Sequence, residues 1–300
     1  MNNKVKKSLR TMTFVPGYMT KFLDKAIEFK SDALILDLED SVPLKDKQKA
    51  RENISKYLKD RKYSQQIFIR VNPIDSGMLF DDLDAVLYDA TDGIMFTKVI
   101  DEKDIIYFDK LLSQLENDKG FPQGKFKICP LIETGSAMIK SYDIAIASSR
   151  VNALVLGGED YLTDLDGLHK EHGISLLVPR SLVVMAARTA KIDAIDTPFL
   201  DIKNTEGFEK EVKLARELGF SGTLIIHPTQ IEIANRNFTP SEEEIDEAKK
   251  IIEAIELSKE KGLGVALLDG KLIGPPMEKR AQNIIAKIKR IKEATENIND

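Results

Sequence analysis

Hydrophobic and polar positions along the chain follow two patterns, which alternate from one segment to the next. Short apolar runs, typical of strands buried on both faces, are separated by longer segments whose apolar residues recur at helical spacing. The apolar runs predict eight strands, at residues 11–17, 33–40, 67–72, 93–99, 127–134, 152–160, 194–201 and 222–228. The intervening segments predict helices, among them KFLDKAIEFK, KDKQKARENISKYLKD, PRSLVVMAARTAKI and GFEKEVKLARELGF.

Eight consecutive strand and helix units predict an α/β protein built as a (β/α)8 barrel, the TIM barrel. Helices that connect parallel strands cover the sheet, which explains why the strands lack alternating polar positions. An open, doubly wound sheet is the alternative. The sequence contains neither a GxGxxG turn nor a P-loop, either of which would favour a nucleotide-binding open sheet.

A different pattern follows the eighth strand. The segment PSEEEIDEAKKIIEAIELSKEKG predicts a helix, GVALLDGKLIGPP predicts two short strands around Asp269 and Gly270, and MEKRAQNIIAKIKRIKEA predicts a last helix. A hairpin has no place inside a closed barrel. We therefore expect a barrel domain at residues 1–240 and a C-terminal hairpin-plus-helix extension at 241–300 that packs on a neighbouring subunit.

Charge and composition narrow the choice of partners. The net charge is -5 at pH 7 and charges of both signs are interspersed, so we expect small-molecule partners and no nucleic acid. No apolar run is long enough to cross a membrane and the first residues lack a secretory pattern, so a cytoplasmic protein is expected. The single cysteine, Cys129, lies in an apolar run, which favours a small buried side chain over a nucleophile.

Polar residues lie at the carboxyl ends of seven predicted strands. In a barrel these ends share one rim, where barrel enzymes have their active sites. The residues are Asp37, Glu39, Asp40, Arg70, Asn72, Lys98, Glu133, Glu159, Asp160, Asp201 and His227. A structural explanation is open for some of them: Asp40 or Ser41 as a helix cap, His227 as a turn residue, and Arg70 as the ion-pair partner of the acids before it.

Two of these acids suggest a metal site. Glu133 and Asp160 end adjacent predicted strands, which lie ~5 Å apart in a sheet, so both carboxylates can reach one hard cation. Two carboxylate ligands leave room on Mg2+ for waters and for two substrate oxygens. We therefore predict a Mg2+ site at Glu133 and Asp160.

Ordered motifs over nearly the whole chain identify it as similar to a known family. It resembles the β subunit of citrate lyase and the related citramalyl-, malyl- and β-methylmalyl-CoA lyases of the citrate lyase/HpcH-HpaI aldolase superfamily. The motifs are RTMTFVPG, DALILDLEDSVPLKDKQKAR, FIRVNPIDSG, ICPLIETGSAM, VNALVLGGEDYLTDL, DIKNTEGFEKEVKLARELGFSGTLIIHPTQI and LLDGKLIGPP.

The resemblance implies a Mg2+-binding (β/α)8 barrel that cleaves a carbon–carbon bond next to a thioester. It implies Glu133 and Asp160 as metal ligands, Arg70 facing the thioester oxygen, Glu39 and Asp40 as an acidic pair beside it, and Asp269 as an acid supplied by a neighbouring subunit. Arg70, Glu133, Pro16 and Lys98 are the substrate-binding residues that we expect. A shared Asp269 would imply a homo-oligomer, a trimer or hexamer.

Three functions stay open within this resemblance. The first is cleavage of a 3-hydroxyacyl-CoA into acetyl- or propionyl-CoA and a 2-oxo acid. The second is that of a citrate lyase β subunit, which acts on a carrier-bound citryl thioester together with acyl-carrier and transferase subunits. The third is a class II aldolase for free pyruvate-type keto acids. The sequence DGK at Asp269, where citrate lyase β subunits often have NGK, favours the first.

Overall fold

The computed structural model describes residues 8–60, 63–168 and 173–296. The chain divides into two compact units, Leu9–Asn235 and a second one formed chiefly by the residues from Arg236 onward. The proposal that residues 241–300 pack on a neighbouring subunit stays a prediction.

The first unit is a closed barrel of eight parallel strands, each paired with the next in chain order and the last with the first. The strands are β1 (Thr11–Pro16), β2 (Ala33–Asp37), β3 (Gln66–Arg70), β4 (Gly93–Phe96), β5 (Lys127–Ile132), β6 (Ala153–Leu156), β7 (Asp193–Asp196) and β8 (Gly222–Ile225). The predicted (β/α)8 barrel is confirmed, because an open sheet would leave two edge strands unpaired.

Helices follow the barrel strands along the chain, and each of the four segments predicted as helices overlaps one of them. They are α1 (Thr20–Ala26), α2 (Lys47–Asp60), α3 (Leu79–Val86), α4 (Glu102–Lys119), α5 (Gly135–Ile139), α6 (Ser141–Ile146), α7 (Gly158–Asp164), α8 (Ile174–Thr189), α9 (Thr205–Leu218) and α10 (Thr229–Phe238). Single 3-10 turns lie at Leu44–Asp46 and Ile74–Ser76. Within the described residues, every helix is too short or too polar to span a bilayer.

The barrel interior is filled by apolar side chains of its strands. This cluster includes Met12, Ile35, Phe68 and Cys129, each with none of its surface exposed. The prediction that Cys129 is a small buried side chain is therefore confirmed. Full burial of a large apolar side chain stabilises a fold by about 1.5–3 kcal/mol, so this cluster provides a rigid base for the residues at the strand ends.

The strands end earlier than the sequence pattern predicts. Strand β2 stops at Asp37 because the carboxylate of Asp37 accepts the backbone N–H groups of Glu39 and Ser41, which bends the chain away from the sheet. The predicted strand 152–160 ends at Leu156, and the residues from Gly158 form α7. Asp160 therefore lies in the first turn of a helix and not at the end of a strand.

The second unit contains two helices and a hairpin. Helix α11 (Glu242–Glu260) begins with a capping box between Ser241 and Glu244, and α12 (Pro275–Glu296) packs along it. Between them β9 (Ala266–Leu268) and β10 (Lys271–Ile273) pair antiparallel. Asp269 and Gly270 connect the strands with φ of 50° and 76°, as a two-residue type I′ turn requires. The predicted hairpin-plus-helix extension is confirmed.

Candidate active site

The barrel topology collects most of the predicted site residues at the carboxyl ends of its first six strands. Pro16, Asp37 and Arg70 are the last residues of β1, β2 and β3, and all three lie side by side in the sheet register. Lys98 follows β4 by two residues and Glu133 directly follows β5. With Asp160 in α7, these residues form two clusters, one around Arg70 and one around Glu133.

Arg70 and Asp37 form a buried, two-pronged ion pair. The Nε and Nη2 atoms of Arg70 donate to the two carboxylate oxygens of Asp37 at 2.7 and 2.6 Å. Burial alone would raise the pKa of Asp37, but the charge and hydrogen bonds of Arg70 outweigh it and hold that pKa below its ordinary value. Arg70 is therefore the ion-pair partner that stabilises the buried, ionised carboxylate of Asp37.

Glu39 and Asp40 face the other side of the same guanidinium. Arg70 Nη1 lies 3.1 Å from Glu39 Oε2 and 3.5 Å from Asp40 Oδ2. Burial, together with the negative charges of Asp40 and Asp37, raises the pKa of Glu39 to about 7 even though Arg70 opposes the shift. Glu39 can therefore hold or release a proton near neutral pH.

Two residues that are not predicted from the sequence hold this cluster in place, Phe14 below Arg70 and Lys47 behind Glu39. The ring of Phe14, on β1, lies under the guanidinium with its centroid 4.5 Å from the central carbon. The ammonium group of buried Lys47 donates to the backbone carbonyls of Leu38 and Glu39 at 2.7 and 2.8 Å, and to Asn72 Oδ1 at 2.7 Å. Lys47 thus fixes the chain segment that carries Glu39.

Lys98 connects the two predicted metal ligands. Its backbone N–H donates to Glu133 Oε1 at 2.6 Å, while its ammonium group donates to Asp160 Oδ1 at 2.5 Å and lies 3.8 Å from Glu133 Oε1. Burial and the negative charge of Asp160 raise the pKa of Glu133 to about 7, although the backbone hydrogen bond and the positive charge of Lys98 oppose the shift. One cationic group therefore faces both carboxylates.

The residues present fit a magnesium ion. Glu133 and Asp160 converge on one position that a cationic group can reach, and carboxylate oxygens are the donors that Mg2+ prefers. In the described part of the chain no group of three or more acidic, histidine or cysteine side chains forms a candidate metal site. Two carboxylate ligands would leave the rest of the Mg2+ coordination shell to water and substrate oxygens. A Cβ atom on Gly157 would lie 2.6 Å from Glu133 Cβ, so this glycine makes room for the Glu133 side chain.

Other polar residues predicted at strand ends have local structural contacts. Asp201 accepts the backbone N–H of Lys203 within a loop, and His227 Nδ1 lies 2.8 Å from Thr229 Oγ1, which agrees with the turn interpretation. The helix-cap alternative for Asp40 or Ser41 is wrong, because no side chain caps the 3-10 turn that follows them. Asp269 lies in the hairpin of the second unit.

Several proteins of known activity are similar to this chain. The citrate lyase subunit beta of Haemophilus influenzae is 35% identical, over 94% of this chain and 98% of its own. A (3S)-malyl-CoA thioesterase of Cereibacter sphaeroides is 31% identical over 88% and 89%, and the mitochondrial citramalyl-CoA lyase of Rattus norvegicus is 28% identical over 95% and 87%. A crystal structure of CitE from Mycobacterium tuberculosis, in complex with magnesium and acetoacetate, is 25% identical with a TM-score of 0.66, over 80% of this chain and 94% of that one.

A family model agrees with these similarities. It matches residues 10–228 and describes the HpcH/HpaI aldolase/citrate lyase family. The matched segment contains both clusters of the candidate site and the strands that carry them. The chain belongs to the HpcH/HpaI aldolase/citrate lyase family.

Proposed function

We propose that the protein is a Mg2+-dependent carbon–carbon lyase that cleaves a 3-hydroxyacyl-CoA into acetyl- or propionyl-CoA and a 2-oxo acid. The observation that carries this proposal is the pairing of Glu133 and Asp160 around one cation position, at the same end of the barrel as Arg70. Arg70 ends β3, and Lys98 follows the neighbouring strand β4 by two residues, so the two clusters lie at the same end of the barrel. The magnesium complex of the related CitE supports the choice of metal.

Glu133 and Asp160 would hold Mg2+ in this reaction. Bound there, the ion supplies Lewis-acid polarisation of the substrate hydroxyl and carboxylate oxygens. The hydroxyl proton passes to a base, for which we propose the carboxylate of Glu39, as the carbon that bears the hydroxyl becomes the carbonyl of the 2-oxo acid. The electron pair of the broken carbon–carbon bond passes to the thioester fragment as an enolate. Arg70 stabilises that enolate oxygen through a fixed guanidinium, an effect worth about 3 kcal/mol.

The residues around Arg70 complete the proposed site. Glu39 and Asp40 form the acidic pair beside the guanidinium, and the pKa of Glu39, raised by burial to about 7, suits proton transfer at neutral pH. Pro16 ends β1 beside Asp37 and is proposed to border the thioester. Lys98, whose side chain is 40% exposed, is proposed to contact the carboxylate of the 2-oxo acid half.

Asp269 is the proposed acid that protonates the enolate carbon. It belongs to the hairpin of the second unit, and we propose that it serves the barrel of a neighbouring subunit in a trimer or hexamer. Exposed apolar side chains next to it support an interface there, since Leu267 and Leu272 are 71% and 69% exposed in the isolated chain. Two variants, Asp269→Asn and Arg70→Ala, should each be inactive and should recover activity when refolded together.

A carrier-dependent function is the second candidate. The similarity to citrate lyase subunits beta favours it, because the chain covers 98% of the Haemophilus protein. In that case the substrate would be a citryl group on an acyl-carrier protein, and the chain would work with carrier and transferase subunits. The third candidate, aldol cleavage of free keto acids, would need no thioester.

The test is a substrate panel in Mg2+ buffer. Citryl-, citramalyl-, malyl- and β-methylmalyl-CoA are incubated with the purified protein, beside citryl-carrier protein and a free hydroxy keto acid, and the release of acyl thioester is measured. Turnover of one CoA ester supports the proposal. Turnover of the carrier substrate alone indicates the subunit function, and cleavage of the free keto acid alone indicates the aldolase.

A further inference from the structure

We propose that Lys98 is a built-in counter-cation that occupies the metal position of the Glu133 and Asp160 pair and must be displaced when Mg2+ binds. This inference rests on the proposed function, because it concerns the same two carboxylates. It assigns to Lys98 a role in setting the metal affinity.

The position of Lys98 is fixed by its backbone. Strand β4 ends at Phe96, and Lys98 has a φ of 53°, a left-handed conformation that non-glycine residues seldom adopt. This conformation presents the backbone N–H to Glu133 Oε1 at 2.6 Å. The same residue thus orients one carboxylate through its amide and reaches the other through its side chain.

The ammonium group of Lys98 offsets an unfavourable charge pair. Glu133 is 1% exposed, and its carboxylate lies close to that of Asp160 because both reach the Lys98 ammonium group, so the two negative charges repel each other. A cation 2.5 Å from Asp160 Oδ1 and 3.8 Å from Glu133 Oε1 compensates both charges at once. This single positive charge thus offsets part of the repulsion between the two carboxylates.

Mg2+ and the ammonium group cannot share these oxygens. An ion that binds Asp160 Oδ1 and Glu133 Oε1 would lie within a few ångströms of the Lys98 nitrogen, and two positive charges at that distance repel each other. Since the Lys98 side chain is 40% exposed, it has room to rotate away from the pair. Binding of Mg2+ is therefore an exchange of one cation for another, and the exchange lowers the net affinity for the metal.

Removal of the ammonium group should therefore tighten metal binding. The test variant is Lys98→Met, which keeps the length and leaves the left-handed backbone position equally strained. The matched control is Lys140→Met, because Lys140 is 41% exposed and forms a comparable 3.2 Å ion pair with Asp101. Both variants lose one positive charge, but only the first loses it at the carboxylate pair.

The measurement is calorimetric titration of each metal-free protein with MgCl2. We expect Lys98→Met to bind Mg2+ about fivefold more tightly than the wild type, the change expected from loss of a partly exposed ion pair. Lys140→Met should bind like the wild type. In thermal melts without metal, Lys98→Met should unfold at a lower temperature than Lys140→Met, and added MgCl2 should raise its melting temperature more.

Equal or weaker Mg2+ binding by Lys98→Met would overturn the inference while leaving the metal site intact. Should this variant fail to fold, Lys98→Gln is titrated instead, because its amide keeps a hydrogen bond to Asp160 without the charge. Absence of Mg2+ binding by the wild type would reject the metal site, and with it both the inference and the metal part of the proposed function.

Discussion

The ion pair of Asp37 and Arg70 provides the sharpest prediction about stability. Asp37 is completely buried, and its carboxylate accepts two hydrogen bonds from Arg70 and two from the backbone N–H groups of Glu39 and Ser41. In Asp37→Asn an NH2 group replaces one acceptor oxygen, so a donor faces a donor and Arg70 loses its main counter-ion.

The size of the expected destabilisation follows from the burial of the ion pair between Asp37 and Arg70. Breaking a buried ion pair by removing one partner costs about 3–5 kcal/mol in the free energy of unfolding. Because Arg70 Nη1 keeps Glu39 at 3.1 Å, we expect Asp37→Asn to lie near the lower end, at about 3 kcal/mol. The control is Asp84→Asn. Asp84 pairs with Lys119 at 2.8 Å but its side chain is 77% exposed, so its loss should cost less than about 1 kcal/mol.

Urea unfolding followed by far-ultraviolet circular dichroism measures both variants, since the chain has no tryptophan. Arg70 keeps the pKa of Asp37 below its ordinary value, so the stabilisation is present above the unfolded pKa of about 4 and is lost as the pH falls through the folded pKa. The gap in the free energy of unfolding between wild type and Asp37→Asn should therefore shrink as the pH falls from 7 into the acid range. A free energy of unfolding for Asp37→Asn within about 1 kcal/mol of the wild-type value at pH 7 would refute this reasoning.

Three further predictions concern the chemistry of the site. Arg70→Lys should lower kcat by orders of magnitude, because an ammonium group cannot reproduce a two-pronged guanidinium, and a change in KM alone would make Arg70 a substrate clamp. Gly157→Ala should weaken Mg2+ binding in calorimetry, since its Cβ would lie 2.6 Å from Glu133 Cβ, and unchanged affinity would contradict this geometry. Glu39→Gln should gain stability relative to the wild type as the pH rises from 5 to 8. Burial raises the pKa of Glu39 to about 7, so the wild type loses stability as Glu39 ionises over this range. Urea unfolding at pH 5 and at pH 8 checks the sign of the change.

Much of the barrel and its rim could be predicted because local pattern and topology agree. Eight buried strands in strict alternation with helices leave few ways to cover a parallel sheet, and closure brings the strand ends together. Glu133 directly follows β5, so its position at the rim can be predicted from the apolar run alone. The sequence pattern places Asp160 in a strand because the apolar run gives no sign of where β6 ends, whereas in the structure Gly157 begins the turn into α7.

The partners of the charged residues could not be predicted in the same way. Asp37, Glu39 and Asp40 look alike in sequence, and only the fold shows that Arg70 is bound on two prongs by the first and faces the other two with one nitrogen. The contact between Lys98 and Asp160 joins residues 62 positions apart and depends on a left-handed backbone that no local motif indicates. Such contacts follow from three-dimensional packing and not from spacing along the chain.

The identity of the products tests the central claim most directly. A hydroxyacyl-CoA that the protein turns over is incubated with the protein and Mg2+, and acyl-CoA, 2-oxo acid, free CoA and hydroxy acid are quantified by mass spectrometry. Carbon–carbon cleavage predicts acyl-CoA and 2-oxo acid in equal amounts, with both absent in Asp160→Asn. Free CoA and an intact hydroxy acid in equal amounts would instead indicate thioester hydrolysis, the activity of the Cereibacter relative, and would contradict the lyase proposal.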